Sequence, residues 1–192
     1  MIAIIKYNGG NVSSVQNALN RLGAESIITD DFELIKNADK LIFPGVGEAS
    51  STMKILKEKG LDQLIPTLKQ PVLGICLGMQ LMCKNNEEGN TIGMGIFDVN
   101  VKKFPAEDII PHMGWNTISD FKQNIYSGIK EESDVYFVHS FYCELSENTT
   151  SVCDYILPFS ASLQKDNFYA MQFHPEKSGK IGSQLLQNFL KL

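Results

Sequence analysis

Short apolar runs and amphipathic stretches alternate through the first half of the chain. Residues 1–7 are apolar apart from Lys6, the pattern of a core strand. Asn8-Gly9-Gly10-Asn11 reads as a turn, with Asn11 as N-cap of a helix reaching about Leu22, where Gly23 ends it. Residues 24–29 read as a second strand and 31–37 as a short helix. Residues 40–43 form a third strand, stopped by Pro44-Gly45-Val46-Gly47. A helix is expected near residues 50–59. Residues 71–75 make a fourth strand, leading through a turn at Cys76 into a helix to about Lys84. This alternation predicts a parallel sheet with helices on both faces.

The pattern changes in the second half. Residues 90–104, 136–144, 151–157, 161–164 and 168–173 read as short strands with little helix between them. They predict antiparallel additions and hairpins. Residues 179–191 close the chain as an amphipathic helix. The fold expected is α/β: an open, mostly parallel sheet flanked by helices, with antiparallel additions in the second half. With no linker-like tract or repeat, residues 1–192 read as a single domain.

Composition narrows the function classes. A net charge of −5 without basic runs argues against nucleic acid as a partner. No apolar stretch approaches a membrane span, so no membrane association is expected. The opening Met1-Ile2-Ala3-Ile4-Ile5-Lys6 has no basic start and no cleavage pattern, and reads as a strand rather than a signal peptide. Cys76, Cys83, Cys143 and Cys153 lack CxxC spacing and read as reduced thiols of a cytoplasmic protein. With only three histidines, no metal site is expected, and nothing calls for a cofactor.

Gly74-Ile75-Cys76-Leu77-Gly78 follows the apolar pair Val72-Leu73. That places a cysteine at a sharp strand-to-helix turn, with glycines at minus two and plus two to relieve the bend. The helix N-terminus favours thiolate there. A buried core cysteine at a βα turn fits the same segment. A nucleophile needs a base and an orienting group. His174 in Phe173-His174-Pro175-Glu176 is the best base. Pro175 biases it to extended backbone, where residues i and i+2 share a side, so Glu176 is expected to steady one imidazole nitrogen. His139 reads as a core or supporting residue. His112 and Trp115 fall in Pro111-His112-Met113-Gly114-Trp115-Asn116, read as a loop that is either a binding surface or a packed anchor. The Leu77 N–H is the natural first oxyanion donor, and Pro44-Gly45-Val46-Gly47 a source of the second.

These strings together resemble the class I (triad) glutamine amidotransferases. Pro44-Gly45-Val46-Gly47, Pro111-His112-Met113-Gly114-Trp115-Asn116, Tyr136-Phe137-Val138-His139-Ser140 and His174-Pro175-Glu176-Lys177-Ser178 narrow the resemblance to the glutaminase subunits of imidazole glycerol phosphate synthase. The resemblance implies a flavodoxin-like core and the triad Cys76, His174 and Glu176. It implies Val46 and Leu77 as oxyanion donors, Val46 after a peptide flip. It places Gly47, Gln80, Glu88, Ser140 and Phe141 around the glutamine, and Asn11, Trp115 and Lys180 at a partner interface. The implied partner is a separate (β/α)₈ cyclase subunit, joined as a heterodimer, which receives the ammonia for histidine biosynthesis. Rival readings remain open at this point: a glutaminase subunit for surface-sugar amidation, a stand-alone γ-glutamyl cysteine hydrolase, and a silent regulatory partner.

Overall fold

The computed structural model describes residues 1–7 and 11–192. The turn expected at Asn8-Gly9-Gly10-Asn11 therefore lies outside the described residues, save for Asn11. The first half runs β1 (Ile2–Ile5), α1 (Val12–Arg21), β2 (Ser26–Thr29), α2 (Phe32–Asn37), β3 (Lys40–Gly45), α3 (Ala49–Glu58), α4 (Leu61–Leu64), β4 (Val72–Cys76) and α5 (Leu77–Met82). The second runs β5 (Cys83–Asn86), β6 (Thr91–Ile92), β7 (Phe97–Lys103), β8 (His112–Ser119), β9 (Ser133–His139), β10 (Phe141–Cys143), β11 (Thr149–Tyr155), β12 (Leu157–Lys165), β13 (Phe168–Met171) and α6 (Gly179–Leu190).

Nine strands form the main sheet in the order β2-β1-β3-β4-β13-β12-β11-β8-β9. β2, β1, β3, β4 and β13 pair in parallel, and the remaining neighbours pair antiparallel. A smaller sheet, β10-β7-β5-β6, lies apart. The α/β expectation with antiparallel additions in the second half holds, except that β13, expected among the antiparallel additions, returns to pair parallel with β4.

Period-2 alternation splits the core between two faces. Ala3, Ile5, Leu41 and Phe43 point to one side, where Met53 and Leu56 of α3 and Met79 of α5 pack. Ile2, Ile4, Ile42, Leu73 and Ile75 point to the other, against Val15 and Leu19 of α1 and Leu185, Leu186 and Phe189 of α6. Both faces of the parallel strands are thus covered. Gly78 explains how close α5 comes: a Cβ there would lie 2.0 Å from the Phe43 carbonyl oxygen. Among the described residues no helix is long and apolar enough to cross a membrane.

Several local expectations change. Residues 112–116 are not a loop but the start of β8, with His112 opposite His139 on β9. The helix expected to reach Lys84 stops at Met82, and Cys83 opens β5. Residues 90–104 split into β6 and β7. Asn11 does not cap α1 with its side chain; its amide points to Glu176 instead. α4 was not foreseen.

Candidate active site

The site forms where β3, β4 and β13 end together, the edge at which open α/β sheets bind ligands. β3 and β4 align Gly45 with Cys76. β4 and β13 align Ile75 with Met171, so one further step brings Gln172 beside Cys76. Cys76 ends β4 and begins α5 with φ 53° and ψ −110°. A non-glycine residue held there stores on the order of 1–3 kcal/mol of backbone strain, sustained by the packing around it. This is the sharp turn that the flanking glycines predicted.

Beyond β13 the chain turns through His174, whose backbone is extended at φ −99° and ψ 95°. Residues Pro175–Lys177 then form a single 3₁₀ turn rather than continuing extended. The side chains still converge: His174 Nδ1 lies 2.8 Å from Glu176 Oε1. Both side chains are 1% exposed. Asn11 Nδ2 donates to the same carboxylate oxygen at 3.4 Å. His174 Nε2 is buried and has no hydrogen-bond partner among the described residues. Burial works against the imidazolium, but the Cys76 sulfur and the Glu176 carboxylate outweigh it and raise the His174 pKa from 6.5 to about 9.

A cavity of about 340 Å³ opens over these groups. Val46, Gly47, Cys76, Leu77, Gln80, Glu88, Ser140, Phe141 and His174 all line it, and Val138, His139 and Pro111 complete the wall. Tyr7 O–H donates to the Pro44 carbonyl at 2.7 Å, anchoring the strand just before Val46. Glu88 is half-buried, accepts from the Ala49 N–H at 2.8 Å, and has its pKa raised by burial and by the nearby Glu48. Glu87 turns away and accepts from the Lys103 N–H.

Two further histidines, His139 in the cavity wall and His112 behind it, form one chain of hydrogen bonds. His139 Nδ1 faces the Phe141 carbonyl at 2.7 Å, which can only accept, so Nδ1 carries the proton. His139 Nε2 then accepts from His112 Nδ1 at 2.9 Å, and His112 Nε2 accepts from Asn116 Nδ2 at 3.2 Å. Burial lowers the pKa of His112 to about 4 and of His139 to about 3.

The three interface candidates stay outside the cavity. Trp115 is 59% exposed on β8, and a Cβ on Gly179 would lie 3.9 Å from its ring. Lys180 lines a separate hollow with Glu176 and Gly179. Asn11 joins this side through Glu176. Sequence reasoning missed Gln172, whose Nε2 lies 3.7 Å from Cys76 Sγ. The available signal was a glutamine inside the apolar run Met171-Gln172-Phe173.

With this geometry in place, likeness to known proteins decides the family. The sequence profile of glutamine amidotransferase class-I matches residues 3–192. The chain belongs to the class-I glutamine amidotransferase family. It is an enzyme of that family, and the resemblance drawn from its motifs holds over the full length. It is 59% identical to the imidazole glycerol phosphate synthase subunit HisH of Bacteroides fragilis (strain YCH46), across 100% of this chain and 99% of that one. It is 44% identical to subunit HisH 2 of Methanococcus maripaludis, across 100% and 99%. Among solved structures, a glutamine amidotransferase superposes with a TM-score of 0.75 at 19% identity, covering 100% of this chain and 98% of that one. PurLQS from Thermotoga maritima superposes at 0.70 with 16% identity, covering 99% and 97%. At such identities the structural likeness speaks for the fold alone.

Proposed function

We propose that this amidotransferase is the glutaminase subunit of an imidazole glycerol phosphate synthase, with Cys76, His174 and Glu176 as its catalytic triad. The observation that carries the chemistry is the buried His174–Glu176 bond, with the free imidazole nitrogen turned to the cavity that holds Cys76. His174, its pKa raised to about 9, can hold the proton that the Cys76 thiol gives up. Cys76 Sγ attacks the side-chain amide carbon of glutamine. The Leu77 N–H, and the Val46 N–H once its peptide turns inward, meet the developing oxyanion. His174 Nε2–H protonates the departing nitrogen, and ammonia leaves behind a γ-glutamyl thioester. Nε2 then takes a proton from water, whose oxygen attacks the thioester and releases glutamate. Glu88 suits the substrate's α-ammonium group. Gly47, Gln80, Ser140 and Phe141 form the remaining wall.

Its HisH relatives are named as synthase subunits. We therefore assign its partner as the (β/α)₈ cyclase, docked on the face that carries Asn11, Trp115 and Lys180. The test mixes the two proteins and follows glutamate release and imidazole glycerol phosphate formation. Cys76→Ala is expected to abolish the glutamine-driven reaction and spare the ammonia-driven one. Glutamine use that survives Cys76→Ala overturns the triad. Full glutaminase activity of the lone chain, indifferent to the cyclase and its ligand, points instead to a stand-alone hydrolase.

A further inference from the structure

Gln172 has no part in the triad, yet it is completely buried beside the nucleophile. Its Nε2 lies 3.7 Å from Cys76 Sγ, and its Oε1 accepts from Gln80 Nε2 at 2.9 Å. The amide orientations follow from backbone groups at both ends of a chain. The Phe141 carbonyl only accepts, so the Gln80 atom 3.0 Å from it is nitrogen. That nitrogen has a second hydrogen, which goes to Gln172, so the Gln172 atom facing it is oxygen. The Gln172 nitrogen is left facing sulfur. From the other end, the Glu88 N–H donates to Asn86 Oδ1 at 2.8 Å, so the Asn86 nitrogen faces Gln80 at 3.4 Å and meets its oxygen. Both ends give the same assignment.

We propose that Gln172, aimed by Gln80, is a hydrogen-bond donor that stabilises the thiolate of Cys76. The inference rests on the reading of Cys76 as nucleophile. An amide N–H stabilises an anion more than a neutral thiol. The Val138 carbonyl, 3.8 Å from the same sulfur, accepts from the thiol and favours the neutral form. Gln172 opposes that preference from the β13 side. Because Gln80 also lines the glutamine cavity, the donor is aimed by a residue that meets the substrate. The other titratable groups that act on the sulfur are His174, Tyr7 and Cys143. None of the three hydrogen-bonds to the Gln172 side chain.

The test is the pH dependence of iodoacetamide alkylation at Cys76 in the full chain, read by peptide mass spectrometry, with glutamine kinetics in the cyclase complex. Gln172→Met removes the donor at similar volume. Its alkylation midpoint is expected to rise by about one pH unit, and kcat to fall about ten-fold with KM little changed. Gln172→Leu removes donor and acceptor alike, and its midpoint is expected to rise by a similar amount. Gln80→Met frees Gln172 and gives a smaller rise, which serves if neither Gln172 variant folds by thermal melt. Unchanged midpoints in the folded variants overturn the proposal and leave the triad standing. A wild-type chain that is not alkylated at Cys76, or an active Cys76→Ala, overturns the nucleophile itself.

Discussion

The cavity is walled by histidines of opposite character, and one structural difference accounts for it. At the corner, His174 is buried against Glu176 and beside Cys76, and its pKa climbs to about 9. At the wall, His139 and His112 are buried against each other and a carbonyl, and their pKa values drop to about 3 and about 4. Burial disfavours the charged imidazole in every case. Only where an anion shares the burial does the charge survive. The corner can therefore keep a charged imidazole, while the wall is a neutral scaffold with fixed tautomers that fixes Phe141 at the cavity edge.

The contrast breaks most sharply at the corner. His174→Ala is expected to lower kcat for glutamine about 10³-fold with the cavity intact, measured by steady-state glutamate release. Glu176→Gln keeps an acceptor for Nδ1 but removes the charge, so kcat/KM falls about 10²-fold. The pKa of His174 drops from about 9 toward 6.5, read by an imidazole NMR titration. At the wall the loss shows in stability instead. His112→Leu leaves His139 Nε2 unpaired and costs about 1–3 kcal/mol by denaturant unfolding, with kcat little changed.

The two regions also pull stability in opposite pH directions. The unfolded wall histidines take protons near 6.5, whereas the folded ones resist until about 4 and about 3. The unfolded state thus binds more protons below 6.5, and stability falls as pH falls through that window. The His174 contribution is complete below 6.5 and is lost as pH rises through about 9. Melting temperature against pH checks both limbs, and His112→Leu flattens only the acid one. Trp115→Ala gives the smallest effect on the fold, under about 0.5 kcal/mol for so exposed a side chain. If the proposed docking face is right, its larger expected effect is on affinity for the cyclase, measured by titration calorimetry.

The corner was legible in the sequence and the wall was not, for physical reasons. β1, β3 and β4 are local apolar runs, and the Cys76 turn announces itself through Gly74 and Gly78. β8 inverts the usual alternation: Met113 and Trp115 face outward, while His112, Gly114 and Asn116 face inward. A strand with its apolar residues outside reads as a loop. His174 and Glu176 were paired for the wrong backbone reason, since a 3₁₀ turn rather than extension brings them together. The return of β13 to the side of β4 is a pairing between distant segments, which no local pattern reveals. That pairing delivers Gln172 and His174 to Cys76.

The central claim is tested most directly by a glutamine analogue carrying a diazoketone in place of the amide, followed by peptide mapping of the labelled protein. The account predicts a single covalent adduct at Cys76, formed fast in the wild type and strongly slowed in His174→Ala. Labelling at Cys83, Cys143 or Cys153 with Cys76 untouched, or none at any cysteine, would contradict it.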